Sequence, residues 1–101
     1  MRSIRLSRTY DDELRALLAQ GLPRFGARTV RRSRDRVEDA IKHIAQYPRR
    51  PIDPQLGICA YHVTRTPFVL LYDFDDRELR VHLIIHASMD RAAVDLSKVV
   101  W

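Results

Sequence analysis

The stretch RTPFVLLYDFDDRELRVHLIIHASMDR, residues 65–91, decides the fold. Phe68 to Phe74 is almost wholly apolar, the pattern of a central strand buried on both faces. Leu79 to His86 alternates, the pattern of a strand with one buried face. Strict alternation puts Leu79, Val81, Leu83 and Ile85 on one face and Arg80, His82, Ile84 and His86 on the other. Asp75 to Arg77 reads as a short hairpin connection between them. The stretch ends in His86, Asp90 and Arg91. Whether these form a catalytic site, a binding edge or only the end of a sheet is the functional question.

Working outward, Ile58 to Thr64 alternates and predicts a further strand before the central one. The segment YPRRPIDPQLG, residues 47–57, reads as a loop, because Pro48, Pro51 and Pro54 lack amide donors and exclude helix. Near the N-terminus, Ser3 to Ser7 alternates Ile4 and Leu6 with polar residues and predicts a short strand. A first helix follows. Thr9 with Asp12 resembles a capping box, and Leu14, Leu17 and Leu18 form its apolar face. Gly21 and the following Pro23 are stop signals for it. A second helix is predicted from near Gly26 to about Tyr47, with Val30, Val37, Ile41 and Ile44 on one face. Arg28, Arg31, Arg32, Arg34 and Arg36 lie on the other, and Arg34–Glu38 and Glu38–Lys42 have ion-pair spacing. The order is β-α-α-β-β-β. It predicts an α+β fold in which a helical hairpin packs on one face of an antiparallel sheet. Residues 1–101 form a single domain in this reading.

Of the 101 residues, 46% are hydrophobic, which excludes a disordered chain. Cys59 is the sole cysteine, which points to a reducing, cytoplasmic setting. The start, MRSIRLSRTYDDE, is interrupted by charge and does not resemble a signal peptide. No apolar run approaches the roughly 18 residues of a membrane span. The net charge of +5 is uneven. Residues 1–50 hold 13 Lys/Arg and 6 Asp/Glu, a balance of +7, and residues 51–101 hold 5 and 7, a balance of −2. A basic half implies an acidic partner, either nucleic acid or an acidic protein segment.

His86 has two readings, a general acid or base near neutral pH and a strand-end residue satisfied by the backbone. His82 and His86, at i,i+4 along a strand, are too far apart for an easy shared metal, and no cysteine pair is near. Cys59 has apolar neighbours and no base partner, the pattern of a buried, inert thiol. Tyr61 and His62 are adjacent, so one faces the core and one the solvent. The arginine cluster is either a solvated face or an electrostatic footprint. The second reading draws on Arg28, Arg31 and Arg32, which occupy the first helical turns, where the helix dipole disfavours cations. Stacking on unpaired bases needs aromatics beside the cations, and Phe25 is the one that sequence proximity provides.

This order of elements at this length, together with TPFVLLYDFDDRELRVHLIIHASMDR, resembles the RelE/ParE superfamily of toxins from type II toxin–antitoxin systems. The resemblance covers nearly the whole chain. Its most specific parts are the apolar strand ending at Tyr72, the acidic turn from Asp73 to Glu78 and the strand ending at His86. It implies one of two activities. RelE-like members cleave messenger RNA in the ribosomal A site, and ParE-like members inhibit DNA gyrase. Both are silenced by an antitoxin whose C-terminal segment, usually acidic and disordered until bound, wraps the toxin.

The positions matching the RelE-like catalytic residues are poorly stocked. Those that carry lysines in RelE-like members hold His62 and Thr64, the arginine position holds Val69, and no tyrosine follows His86. Arginine often follows the glycine of ParE-like members, whereas Ile58 and Cys59 follow Gly57 here. The resemblance therefore implies a ParE-like toxin, with DNA gyrase as target, a cognate antitoxin as partner in a hetero-oligomer, and no cofactor. For target binding it singles out His86, Asp90, Arg91 and Trp101, the last in an apolar tail. For the antitoxin, the basic helix face offers Arg28, Arg31, Arg32 and Arg36. The alternatives are an endoribonuclease using His62, Arg65 and His86, and a toxin-fold module that has lost toxicity.

Overall fold

A computed structural model describes residues 1–101. The elements are β1 (Ser3–Leu6), the helical segment α1 (Arg8–Gln46), β2 (Cys59–His62), β3 (Phe68–Phe74) and β4 (Glu78–His86). Two short 3-10 turns, Arg91–Ala93 and Leu96–Lys98, follow in the tail. No helix is long and apolar enough to cross a membrane.

The segment α1 is a hairpin. A straight helix of its 39 residues would run about 58 Å at roughly 1.5 Å per residue, whereas the longest principal extent of the molecule is 39 Å. The chain reverses at Gly26, whose φ of 83° and ψ of 165° lie in a region open essentially to glycine alone. The link is thus one residue, not five. Gly21 does not stop the first arm. It stays helical, and a Cβ there would meet the side chains of Phe25 and Val30 at 3.6 Å, so the arms approach closely across it. Pro23 is also inside the helix, on the exposed last turn before the reversal, where a lost amide bond harms least.

The N-cap is Ser7, not Thr9. The Ser7 hydroxyl accepts from the Tyr10 amide at 2.8 Å and donates to the His82 carbonyl at 2.6 Å. It is fully buried, so one side chain both caps the helix and ties it to the sheet. Thr9 instead accepts from the Val100 amide at 2.8 Å, which holds the tail against the start of the helix.

The sheet order is β1-β4-β3-β2. β2, β3 and β4 are antiparallel as the sequence predicts, but β1 lies parallel to β4, pairing Ser3 with Glu78 and Leu6 with Val81. The sheet is therefore mixed. β2 is also shorter than predicted, ending at His62.

A bulge changes the faces of β4. Leu71 pairs with Leu83 but Tyr72 pairs with Val81, leaving His82 as the extra residue. Leu79, Val81 and Ile84 therefore join the core under the helices, while Leu83 and Ile85 join a smaller cluster on the outer face. The strict alternation expected along this strand fails at His82 for this reason. The main core unites Tyr10, Leu18, Val37, Ile41 and Ile44 of the hairpin with Phe68, Leu70, Tyr72 and Leu79 of the sheet. Each fully buried Leu or Ile side chain there contributes about 1.5–3 kcal/mol. On the outer face Val69, Leu71 and Ile85 are covered by Leu56 and Ile58 and by Val94 and Leu96 of the tail. β3 is thus buried on both sides, as its apolar run predicts.

Candidate functional site

The tip of the hairpin and the open end of β4 enclose an apolar cleft lined by Leu17, Phe25, Val30, Phe68 and His86. Phe25 is 61% exposed and the neighbouring Leu22 is 49% exposed. Solvent exposure of such groups wastes apolar burial and marks a surface suited to a partner. Arg24 rims the cleft, its guanidinium 5.5 Å from the centre of the Phe25 ring. Arg28, Arg31 and Arg32, on the first turns after Gly26, are exposed and have no carboxylate within 4.0 Å. The pairs Arg34–Glu38 and Glu38–Lys42 do not form, and these residues are exposed, where such bridges gain little. Arg36 is separate. It is half-buried and donates to the Arg65 carbonyl at 3.2 Å.

The four residues singled out at the C-terminal end lie in three places. His86 is exposed at the mouth of the cleft, its Nδ1 accepting from the Ser88 amide at 3.1 Å. Asp90 caps the first 3-10 turn, accepting from the Ala92 amide at 2.9 Å. Arg91 reaches back to Asp53 at 3.4 Å and pins the tail to the proline-rich loop. Trp101 lies over the outer face near the middle of β4. The His82 ring meets it edge-on at 4.8 Å, and the Arg5 guanidinium is 4.9 Å from its ring centre.

The set His62, Arg65 and His86 is not gathered either. His62 pairs with Val69 of the outer face, and His86 pairs with Phe68 of the helix face, so the two imidazoles project from opposite sides of the sheet. His62 is 2.7 Å from the Thr66 carbonyl, a backbone contact that closes the β2–β3 turn. Arg65 sits in that turn with φ of 62°. Tyr61 packs on the core and its neighbour His62 is exposed, the division predicted for adjacent strand residues. Cys59 is buried and free, and burial pushes its thiol up. Tyr72 is fully buried and donates to the Pro48 carbonyl at 2.8 Å, and burial raises its phenol well above the ordinary range. Neither is poised as a nucleophile or acid near neutral pH. No three His, Cys, Asp or Glu side chains are placed to hold a metal ion.

Two arrangements escape a reading of the sequence. On the outer face, Arg80 donates to Asp73 at 2.9 Å, to Asp75 at 2.9 Å and to Glu78 at 3.1 Å. These bonds raise the guanidinium pKa further. Asp75 also accepts from the Arg77 and Glu78 amides, and chiefly through these bonds its carboxyl falls to about 2. The acidic turn is thus tied together internally by one guanidinium. Its signal was an aspartate two and three residues before two amides it can cap. At the far edge of the sheet, Arg50 lies 5.2 Å from the centre of the Tyr61 ring and 3.3 Å from His43. Tyr47 stacks obliquely on His43 at 5.5 Å. His43 and Tyr47 have the i,i+4 spacing of one helix face, but nothing local announces that Tyr61 of β2 joins them.

No protein-family model matches the chain, and no curated protein matches it. Among solved structures, a chain of the chromosomal ParDE TA (toxin–antitoxin) system from P. aeruginosa is similar, with a TM-score of 0.73 and 15% sequence identity. The match covers 85% of this chain and 96% of that one. At this identity the likeness speaks for architecture alone: this chain shares the fold of that ParDE chain, here a helical hairpin on a four-stranded sheet.

Proposed function

We propose that this chain is the toxin of a type II toxin–antitoxin system, ParE-like, held silent by a cognate antitoxin and acting on DNA gyrase in the cytoplasm. The observation that carries the reading is the fold shared over 96% of a ParDE chain. Two features of this chain support it. The cleft beneath the hairpin exposes Phe25, Leu22 is exposed beside Arg31 on the same tip, and Arg28 and Arg32 flank it without carboxylate partners. An acidic segment that folds on binding matches both properties, with its apolar side in the cleft and its carboxylates on the rim. Arg36, engaged with the Arg65 carbonyl, contributes less to such a rim. The toxic contacts we assign to His86, Asp90, Arg91 and Trp101, which offer separate points of attachment rather than one reactive centre.

The gyrase reading is preferred to RNA cleavage because His62, Arg65 and His86, the groups a nuclease reading singles out, do not converge. His62 and His86 face opposite ways. The test is induction of the chain alone in bacteria with pulse-labelling of DNA and protein synthesis. An early fall in DNA synthesis supports gyrase as target. An early fall in protein synthesis replaces it with RNA cleavage. Undiminished growth with the folded chain present establishes a fold that has lost its toxicity.

A further inference from the structure

The far edge of the sheet carries a feature that neither the cleft nor the tail uses. The last turns of α1, the start of the following loop and β2 bring cations and rings into one strip. Arg50 is its centre. Its Nη1 donates to the Tyr47 carbonyl at 3.1 Å and to the Arg49 carbonyl at 2.7 Å. This holds the guanidinium over Tyr61, 5.2 Å from the ring centre, with His43 at 3.3 Å from Nη2. The His43 ring lies 5.5 Å from Tyr47 and 6.3 Å from Tyr61. Arg36 lines the same shallow cleft as His43 and Tyr61, and Arg49 lines the adjoining one with Tyr47 and Arg50. One carboxylate, Asp39, borders the strip, and it forms no ion pair there. Arg36, Arg49 and Arg50 have no carboxylate within 4.0 Å.

Part of this is explained by the helix end. Cations near a helix C-terminus satisfy its last carbonyls and oppose its dipole. That account covers Arg50. It does not cover Tyr47, left 59% exposed, nor Arg49, which is exposed and whose side chain makes no hydrogen bond. Fixed aromatic faces alternating with unpaired cations match a polyanion that also presents flat apolar faces. A carboxylate-bearing peptide supplies the charge, but flat faces only where aromatic residues interrupt its acidic run. Duplex nucleic acid supplies the charge but keeps its bases stacked on each other. A single strand supplies both.

We propose that the strip formed by His43, Tyr47, Arg49, Arg50 and Tyr61, with Arg36 at its end, binds single-stranded nucleic acid, the phosphates on the arginines and a base on the exposed Tyr47 ring. It lies on the opposite face of β2 from His62, so it is separate from that histidine. The reading is independent of the gyrase assignment.

The test is fluorescence anisotropy of the purified chain with labelled oligothymidylate and oligouridylate of about 15 nucleotides, near the upper site size of small single-strand binders. A duplex of the same length and polyglutamate serve as competitors. Both single strands are expected to bind at low salt and to resist both competitors. Tyr47→Ala is expected to raise Kd about tenfold, the effect of losing one stacked base. Arg49→Gln with Arg50→Gln is expected to flatten the plot of log Kd against log salt by about 1.4, at roughly 0.7 per phosphate on a single strand. Tyr61 supports the core, so Tyr61→Phe, which keeps the ring, is the fold control and is expected to bind as the parent does. Absence of binding by either single strand overturns the proposal. So does equal competition by duplex or polyglutamate, and so does unchanged affinity in folded Tyr47→Ala and Arg49→Gln.

Discussion

Two groups of arginines share this chain and live under opposite conditions. Arg31 and Arg32, beside the hairpin tip, are exposed and meet no carboxylate. Arg80, on the outer face of the sheet, is 23% exposed in its side chain and meets three. A partly buried cation is costly unless paired, and Arg80 is paired by the turn it helps to close. An exposed cation is tolerated without a partner, so nothing inside the fold calls for Arg31 or Arg32. The difference separates charge that maintains the structure from charge left free for a partner.

The comparison can be broken most decisively at the free pair. Reversing both, Arg31→Glu with Arg32→Glu, is expected to weaken binding of the acidic antitoxin segment about a hundredfold at low salt, about 2.7 kcal/mol. The melting temperature should stay unchanged. Titration calorimetry at two salt concentrations checks this, and unchanged affinity at low salt would remove the helix face from the interface.

At Arg80 the expectation is reversed. Arg80→Ala should cost about 1–2 kcal/mol of stability, the range of a partly solvated charge network. It leaves three carboxylates facing one another, and antitoxin affinity should not change. Chemical denaturation of the variant reads the loss directly.

The two glycines of the hairpin sharpen the same contrast between what the fold needs and what it tolerates. Gly26→Ala forces a side chain into φ of 83° and should cost about 1–3 kcal/mol. Gly21→Ala places a methyl at ordinary contact with Phe25 and Val30 in a helical residue, and should stabilise by about 0.5–1 kcal/mol. Thermal melts that ranked the two the other way would put the reversal at Gly21.

The smallest expected effect is in acid. The Asp75 carboxyl, held at about 2 against an ordinary value of 3.8, is ionised more readily in the folded chain than in the unfolded one. Its contribution to stability is complete above about pH 4 and disappears as the pH falls towards 2. Asp75→Asn should flatten that part of the stability profile. An identical acid limb in the variant would assign it to other carboxylates.

Much of the framework was legible because its signals are local. The apolar run from Phe68 to Phe74 could only be a strand covered on both sides, and the structure buries it between two clusters. The 3.6-residue recurrence of Val37, Ile41 and Ile44 set the buried face of the second arm. Legibility failed where a local signal was overruled by a contact distant in sequence. Thr9 resembles a cap, but Ser7 is buried against the His82 carbonyl, 75 residues away, and takes the role. Gly21 resembles a stop, but Val30 on the returning arm packs against it. The bulge at His82 cannot be read from alternation, because it depends on the register with β3.

By itself the sequence determined the identity and order of the elements, the buried faces of the helices and the central strand, and the charge imbalance, since each follows from spacing along one segment. Tertiary structure alone decided which cations remain free, that β1 runs parallel to β4, that His62 and His86 face apart, and that Tyr61 joins Arg50 and His43 at one edge. The physical reason is the same in each case. Periodicity fixes the direction of a side chain relative to its own element, whereas pairing, neutralisation and stacking depend on what another element brings within a few ångströms of it.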